Sequence, residues 1–388
     1  MKAITITREY GAGGSELAER LGELLGWKVL DRELLQRAAQ IEQVPDADLD
    51  RLDEKAASMA DRFRLHPPHQ KYLHGLTEAA RQAAQQGDVV LVGRGARHLL
   101  GDIPDLFHLR LVAPRAWRAE RMARREGWSL DQAHARCLEM DRSRELFTRY
   151  FFGHVAARPD QYDLVVNTGR VTLEDIASVV AHFVRPSSSE NAAVRAPHRV
   201  LTLSRELGAG ETQFAATLAE RLSMQVYDRE LIEQQAVRLG VSETEIEKID
   251  ERAAGIFQRF RPGSIYQRYI EALEKIFGQL AEQGNVILMG RAGNCFLRDD
   301  RRVFHVRLIA TMSVRLRRIM EYRWVRESVA KRLVDESDSQ RRKFCESYFG
   351  VDWASPLEYH VTVNTGRLGP AAVDLVSLAA TGHWNRVA

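Results

Sequence analysis

Lysine is scarce in this chain, with 8 residues against 48 arginines among 388. Almost any cationic site must therefore be built from guanidinium, whose planar fork donates two parallel hydrogen bonds and suits phosphate. Cysteine is sparser still: Cys137, Cys295 and Cys345 are the whole complement. Their spacing fits no metal-ligand pattern, and they read as reduced, buried thiols of a cytosolic protein. Long apolar runs are missing too, since none approaches the roughly 18 residues that would span a bilayer. Met1-Lys2-Ala3-Ile4-Thr5-Ile6 leads straight into a strand pattern, so no signal peptide is expected. The formal net charge is only +3, and no basic stripe is interleaved with aromatics. Nucleic acid and membrane surfaces are disfavoured as partners on that ground, and the expected localisation is cytoplasmic.

What the chain does contain, it contains twice. Arg8-Glu9 recurs as Arg205-Glu206, an offset of 205 − 8 = 197. The same offset carries Asp31-Arg32-Glu33-Leu34 onto Asp228-Arg229-Glu230-Leu231 and Gly93-Arg94 onto Gly290-Arg291. It carries Phe107-His108 onto Phe304-His305, the Asp141/Arg144 pair onto Asp338/Arg341, and Asn167-Thr168-Gly169-Arg170 onto Asn364-Thr365-Gly366-Arg367. A period this long means duplicated domains and not a solenoid of short repeats. The expected division is a first domain over 1–184, a Ser/Pro/Ala-rich linker over 185–197 and a second domain over 198–388.

Within the first copy, Ala3 to Thr7 is short, apolar and β-branched, and Gly-rich sequence follows at once. That predicts a strand, a tight loop and a helix from about Ser15 to Leu25. Trp27–Leu30, Leu106–Val112 and Tyr162–Val166 read as further strands. Val89–Val92 is a continuous apolar run, as in a strand buried on both faces. Helices are expected over 114–126, 130–150 and 172–184, and residues 44 to 86 are polar and largely helical in pattern. Strands alternating with helices predict an α/β fold, a parallel sheet flanked by helices, in each copy.

The chemistry concentrates at the first loop, Arg8-Glu9-Tyr10-Gly11-Ala12-Gly13-Gly14-Ser15. Between a strand and a helix, consecutive backbone N–H groups form an anion cradle that glycine lets a phosphate approach. Gly11, Ala12, Gly13, Gly14 and Ser15 are therefore the candidate ATP-phosphate site, with the Ser15 hydroxyl placed to ligate Mg²⁺. The alternative is a tight strand-to-helix turn without a ligand. The loop departs from G-x-x-x-x-G-K-[ST]: with Ser15 at the hydroxyl position, the lysine position holds Gly14, and Glu211 in the second copy, where Thr212 keeps the hydroxyl. Arg94 and Arg291 follow a buried strand, where open α/β sheets bind ligands; a structural ion pair is the alternative. Asp31-Arg32 ends a strand, with helix capping as its alternative. Arg118, Arg121 and Arg125 share one helical face and suit either a lid over ATP or a solvated basic surface. His108 and His305 lie inside a strand and read as structural, while Asp53-Glu54 and Asp250-Glu251 stay open between acceptor contact and local salt bridges.

These motifs together resemble the cytidylate-kinase-like proteins of the P-loop nucleoside monophosphate kinase group. The resemblance rests on Thr7-Arg8-Glu9-Tyr10-Gly11-Ala12-Gly13-Gly14, Asp31-Arg32-Glu33-Leu34, Val92-Gly93-Arg94-Gly95, and Asp141-x-x-Arg144 with Tyr150-Phe151-Phe152-Gly153. Ser204-Arg205-Glu206-Leu207-Gly208-Ala209-Gly210 and Tyr348-Phe349-Gly350-Val351-Asp352-Trp353 carry it in the second copy. It implies two tandem P-loop NTPase domains, each a five-stranded parallel sheet with a helical acceptor-binding insert and a lid. It implies Mg²⁺-ATP phosphotransfer to a nucleoside monophosphate, CMP-like, or a similar small phosphorylated acceptor. Catalytic roles then fall to Arg8, Ser15, Arg94, Arg118 and Arg121, and acceptor binding to Asp31, Arg32, Arg94, Asp141 and Arg144. A ligand site in the second copy would comprise Arg205, Gly208, Gly210, Thr212, Asp228, Arg229, Arg291, Asp338 and Arg341. The Gly-Arg-Asp of classical cytidylate kinases is here Gly93-Arg94-Gly95 and Gly290-Arg291-Ala292, which leaves the base preference open. A nucleotide-sensing protein without turnover is the competing class.

Overall fold

The computed structural model describes residues 1–31, 67–93, 95–153, 158–186, 198–210, 212–242, 264–290 and 292–387. The chain divides into two compact units, Met1–Ser188 and Ser189–Ala388. Arg32, Arg94, Glu211, Arg291, the two acidic pairs of the insert and most of the linker lie outside the described residues.

The first unit is built on β1 (Ala3–Arg8), β2 (Lys28–Leu30), β3 (Val89–Val92), β4 (Leu106–Val112) and β5 (Leu164–Asn167). They pair in the order β2-β3-β1-β4-β5, every pairing parallel. Parallel strands need crossover connections, and helices supply them: α1 (Gly14–Leu25), α2 (Pro67–Gln86), the short α3 (Ala96–Leu100), α4 (Arg115–Glu126), α5 (Leu130–Phe152) and α6 (Leu173–Val184). With helices on both faces, the strands lose the polar alternation of a half-exposed sheet. Every residue of β3, β4 and β5 is buried. One face carries Leu76, Ala80, Ala83 and Leu99 against Leu91 and Leu106. Truncating the fully buried Ile6 to alanine should cost about 2–5 kcal/mol, through lost transfer energy and the cavity left behind.

Local sequence explains where these helices start and stop. Gly26 and Gly127 close α1 and α4 in the left-handed conformation. Ser129 and Gln132 form a reciprocal capping box at the start of α5, and Thr172 caps α6 through the Asp175 N–H. The expected strand at Tyr162–Val166 begins two residues later, at Leu164. Pro159–Gln161 forms a tight 3₁₀ turn, and Asp163 turns its carboxylate to the His108 N–H at 2.6 Å.

The second unit repeats the plan with β6 (Val200–Arg205), β7 (Gln225–Tyr227), β8 (Val286–Met289), β9 (Val303–Ile309) and β10 (Val361–Asn364), in the order β7-β8-β6-β9-β10. Its helices are α7 (Thr212–Leu222), α8 (Arg229–Arg238), α9 (Ile265–Gln283), α10 (Gly293–Phe296), α11 (Met312–Arg323), α12 (Glu327–Phe349), α13 (Thr365–Leu368) and α14 (Ala371–Val387). Thr5 Oγ1 and His108 Nδ1 share a 2.7 Å hydrogen bond, and Thr202 and His305 share one of the same length. These strand histidines are part of the core. Among the described residues, no helix is long and apolar enough to cross a membrane.

Candidate phosphate-binding site

The register of β1 on β3 pairs Ile6 with Val92, so the loops leaving these two strands emerge side by side. That is the carboxyl edge of an open parallel sheet, where such folds place ligands. Gly11 and Gly13 hold φ values of 81° and 90°, a region that favours glycine. The loop turns tightly there and delivers the chain into α1 at Gly14.

Arg8 crosses this loop. A Cβ built on Gly14 would lie 2.7 Å from Arg8 Cγ and 3.0 Å from Cδ. A Cβ on Gly93 would fall 1.6 Å from Arg8 Nη1. The arginine stem therefore runs over Gly14, and its guanidinium rests on Gly93. Asp31 faces it at 3.6 Å, and Ser15 Oγ lies 3.5 Å from the same carboxylate oxygen. The glycine at the lysine position is thus explained sterically: the space a side chain would need there is filled by Arg8.

Arg144 comes to the same place from α5. It donates to the Arg8 carbonyl at 2.9 Å, and its guanidinium stands 5.7 Å from the centre of the Tyr10 ring. Burial, then the neighbouring Arg8 charge, pushes the Arg144 guanidinium down to about 10, against the pull of Asp141 and Asp31. Asp141 accepts from the Tyr10 N–H at 2.8 Å and from Arg118 at 2.7 Å.

Arg118 does not face the loop's open side. It is buried, bonded to the carbonyls of Ala113 and Tyr10 and paired with Glu9 and Asp141. Its donors are committed to fixing the first turn of the loop against α4, in place of the phosphate-facing role expected from its helical face. Arg121 reaches the Gly11 carbonyl at 3.0 Å and pairs with Glu16, which also receives Arg125 at 3.2 Å. The shared face of α4 thus clamps the loop, and neither a free lid nor a purely solvated surface describes it.

The second unit keeps the frame and alters its edges. Asp338 accepts from the Leu207 N–H at 3.1 Å and pairs with Arg315, which donates to the Leu207 carbonyl. Arg341 contacts Asp338 at 3.5 Å, and burial with the Arg205 charge pushes its guanidinium down to about 10. Gly208 repeats the Gly11 conformation at φ 81°, but Gly210 does not share the positive φ of Gly13. Arg318 bonds Gly208 O at 3.1 Å and also donates to the hydroxyl and carbonyl of Thr365, where Arg121 found Glu16. The residue matching Glu16 is Gln213. Asp228 caps α8 through the Leu231 N–H at 3.0 Å, and Arg229 pairs with Glu233 along that helix. The capping alternative thus accounts for that pair in this unit. Thr212 opens α7. Arg307, fully buried beneath the loop, stacks 3.9 Å from the Trp353 ring centre and donates to Glu206.

The structure brings together Arg8, Gly11, Ala12, Gly13, Gly14, Ser15, Asp31, Asp141 and Arg144; Arg32 and Arg94 lie outside the described residues. Glu9, Tyr10 and Gly93 were missed as contributors. Glu9 and Gly93 were recoverable, because the 197 offset preserves them as Glu206 and Gly290. No such signal marked Tyr10, which is Leu207 in the other copy.

A family described as cytidylate kinase-like matches residues 3–170 and again residues 200–367. A cytidylate kinase of Methanopyrus kandleri is 30% identical over 194 residues, which cover 47% of this chain and 93% of that protein. A uronate isomerase of Corynebacterium glutamicum shares 34% identity over 91 residues, 24% of this chain, and the chain spans only 18% of that protein's length. An uncharacterized protein of Eubacterium ventriosum, solved as a crystal structure, is 24% identical with a TM-score of 0.38, covering 48% of this chain and 99% of that one.

Proposed function

We propose, because the chain belongs to the cytidylate kinase-like family, that its first domain transfers the γ-phosphoryl group of Mg²⁺-ATP to a small phosphorylated acceptor. The acceptor class we favour is a nucleoside monophosphate, CMP-like. The working domains are 1–184 and 198–388, joined by residues 185–197. The observation that carries the reading is the Arg8–Arg144 pair. The Arg144 guanidinium bonds the Arg8 carbonyl beside a glycine loop and is depressed to about 10 by burial and by the Arg8 charge, which Asp31 only partly offsets. Such a pair is relieved by an anion placed between them, and phosphate accepts the planar fork from both sides.

The residues fit the donor and its metal. The Gly11–Ser15 backbone would hold the donor phosphates, and Arg8 would stand where most P-loops place lysine. Ser15 and Asp31 offer hydroxyl and carboxylate oxygens at one edge, the hard donors Mg²⁺ prefers. No cluster of three or more His, Cys, Asp and Glu suited to a metal occurs among the described residues. When bound, Mg²⁺ would neutralise charge on the phosphoryl oxygens. The chain's own part is positioning and charge: Arg8 and Arg144 orient the phosphates, Asp141 and Arg118 hold the loop, and Arg32 and Arg94 would grip the acceptor.

A second reading applies to the second domain, which we infer binds an anionic ligand without turnover. Arg341, like Arg144, is depressed by burial and by the neighbouring Arg205 charge, while Glu211 stands in the sequence where the first copy has Gly14. Acceptor-dependent ADP release, screened against CMP, dCMP, UMP, AMP and non-nucleotide acceptors, tests the proposal. Release with one acceptor class supports it. Tight nucleotide binding with no release for any acceptor leaves the sensing reading for both domains.

A further inference from the structure

Two of the three cysteines, separated by 345 − 295 = 50 positions in sequence, meet in the second unit. Cys295 lies on α10 and Cys345 on α12, and each thiol perturbs the titration of the other. The helices are in direct contact, with the Phe296 and Phe349 rings edge to face at 4.9 Å and Phe296 stacked on Phe277 at 5.1 Å. Both cysteines are free; Cys345 is buried and Cys295 is half-buried. The expectation of buried thiols therefore holds for Cys137 and Cys345 and fails at Cys295. The first unit has no such pair, since the matching positions 98 and 148 hold His98 and Thr148.

We propose that Cys295 and Cys345 are a redox-modification site, a thiol pair that a hydroperoxide converts to a reversible disulfide. The half-buried Cys295 is the reachable sulfur, and Arg298, three residues on and paired with Glu358, favours its charged form while the Glu358 carboxylate opposes it. The neighbouring Cys345 holds the Cys295 thiol below its ordinary range, and Cys295 together with burial pushes the Cys345 thiol up. A thiolate with this exposure and this cationic neighbour is the reactive kind, and its buried partner is positioned to resolve it. In the first step the Cys295 thiolate attacks the outer peroxide oxygen. The O–O bond breaks, the alkoxide or hydroxide leaves and takes a proton, and Cys295 becomes a sulfenic acid. In the second step Cys345 sulfur attacks Cys295 sulfur, and hydroxide leaves with the Cys345 proton as water. Two thiols are oxidised and one hydroperoxide is reduced to an alcohol, or to water when it is hydrogen peroxide, with one further water.

The bond would tie α10, which follows the Gly290-Arg291 segment, to α12, which carries Asp338 and Arg341. Cys345 is four residues beyond Arg341 and so shares its helical face. The proposal does not depend on phosphotransfer. Its test is oxidation of the full chain with a small excess of hydrogen peroxide, followed by thiol titration and mass mapping of peptides. The expected result is a fall from three titratable thiols to one. A single cross-linked peptide should join Cys295 to Cys345 and be lost on dithiothreitol treatment. Cys295→Ser should leave Cys345 unoxidised. An unchanged titre, Cys295 driven to sulfinic acid with Cys345 intact, or cross-linking through Cys137 would each overturn the proposal.

Discussion

Gly14→Ala isolates the claim that Arg8 stands in for a missing lysine. The new methyl carbon would sit 2.7, 3.0 and 3.1 Å from Arg8 Cγ, Cδ and Cβ. Those atoms form the base of the side chain, so turning the guanidinium alone gives no relief. Arg8 must leave its rotamer, and its head leaves Gly93. The fold should tolerate the change, because residue 14 is the first of α1. Alanine gains up to about 1 kcal/mol over glycine in a helix. The loss falls on the ligand. A hydrogen bond to a charged group contributes about 1.5–3 kcal/mol, so affinity for a non-hydrolysable ATP analogue should fall about ten- to hundredfold. Calorimetry of wild type, Gly14→Ala, Arg8→Ala and the double variant forms a closed cycle. If Gly14 acts only by making room for Arg8, adding Gly14→Ala to Arg8→Ala should change nothing further, and the coupling should match the single effect. Additive effects, or wild-type affinity in Gly14→Ala, would mean that Arg8 does not occupy the lysine position.

Three further outcomes are expected. Arg144 should make phosphate binding pH-dependent at the alkaline end: bound anion favours the charged guanidinium, so affinity is flat below about 10 and declines above it. For folding the sign is opposite, since a depressed basic group penalises the folded state below that value and the penalty lifts as pH rises through it; a flat binding curve across that range, followed by calorimetry, would contradict the assignment. Arg118→Ala should lower stability by about 3 kcal/mol by leaving Glu9 and Asp141 uncompensated, the low end for a buried pair because both carboxylates keep some exposure. Denaturant unfolding reads this directly, and a loss under about 0.5 kcal/mol, the size of an ordinary surface substitution, would remove its role as a strut. Arg94→Lys should cut kcat/KM severalfold with the fold intact, because a point charge cannot reproduce the guanidinium fork; unchanged kinetics would take Arg94 out of the acceptor site.

The sheet was readable from sequence because burial on both faces leaves continuous apolar runs, and Val89–Val92 and Leu106–Val112 appear as strands with the bounds their patterns suggest. The duplication multiplied that signal, since a residue kept at an offset of 197 through two diverging copies is under some constraint. The site was legible in composition and less so in role. Arg118, Arg121 and Arg125 share a face by spacing alone, but spacing cannot say that Glu9, Glu16 and Asp141 meet that face from other elements. The fate of Arg8 was hidden for a related reason. Its position depends on two absent side chains, at Gly14 and Gly93, and emptiness at two distant positions becomes a cavity only when β1 and β3 pair. The Cys295–Cys345 contact likewise joins helices far apart in sequence.

On the proposed function, the first domain turns over ATP through Arg8 while the second does not. Acceptor-dependent ADP release by the full chain, compared between Arg8→Ala and Arg205→Ala, tests it most directly. Arg8→Ala should lower release by at least tenfold, about 1.4 kcal/mol of lost binding or transition-state stabilisation, and Arg205→Ala should leave it within twofold of wild type, about 0.4 kcal/mol. Equal losses in the two variants, or release that survives Arg8→Ala, would contradict it.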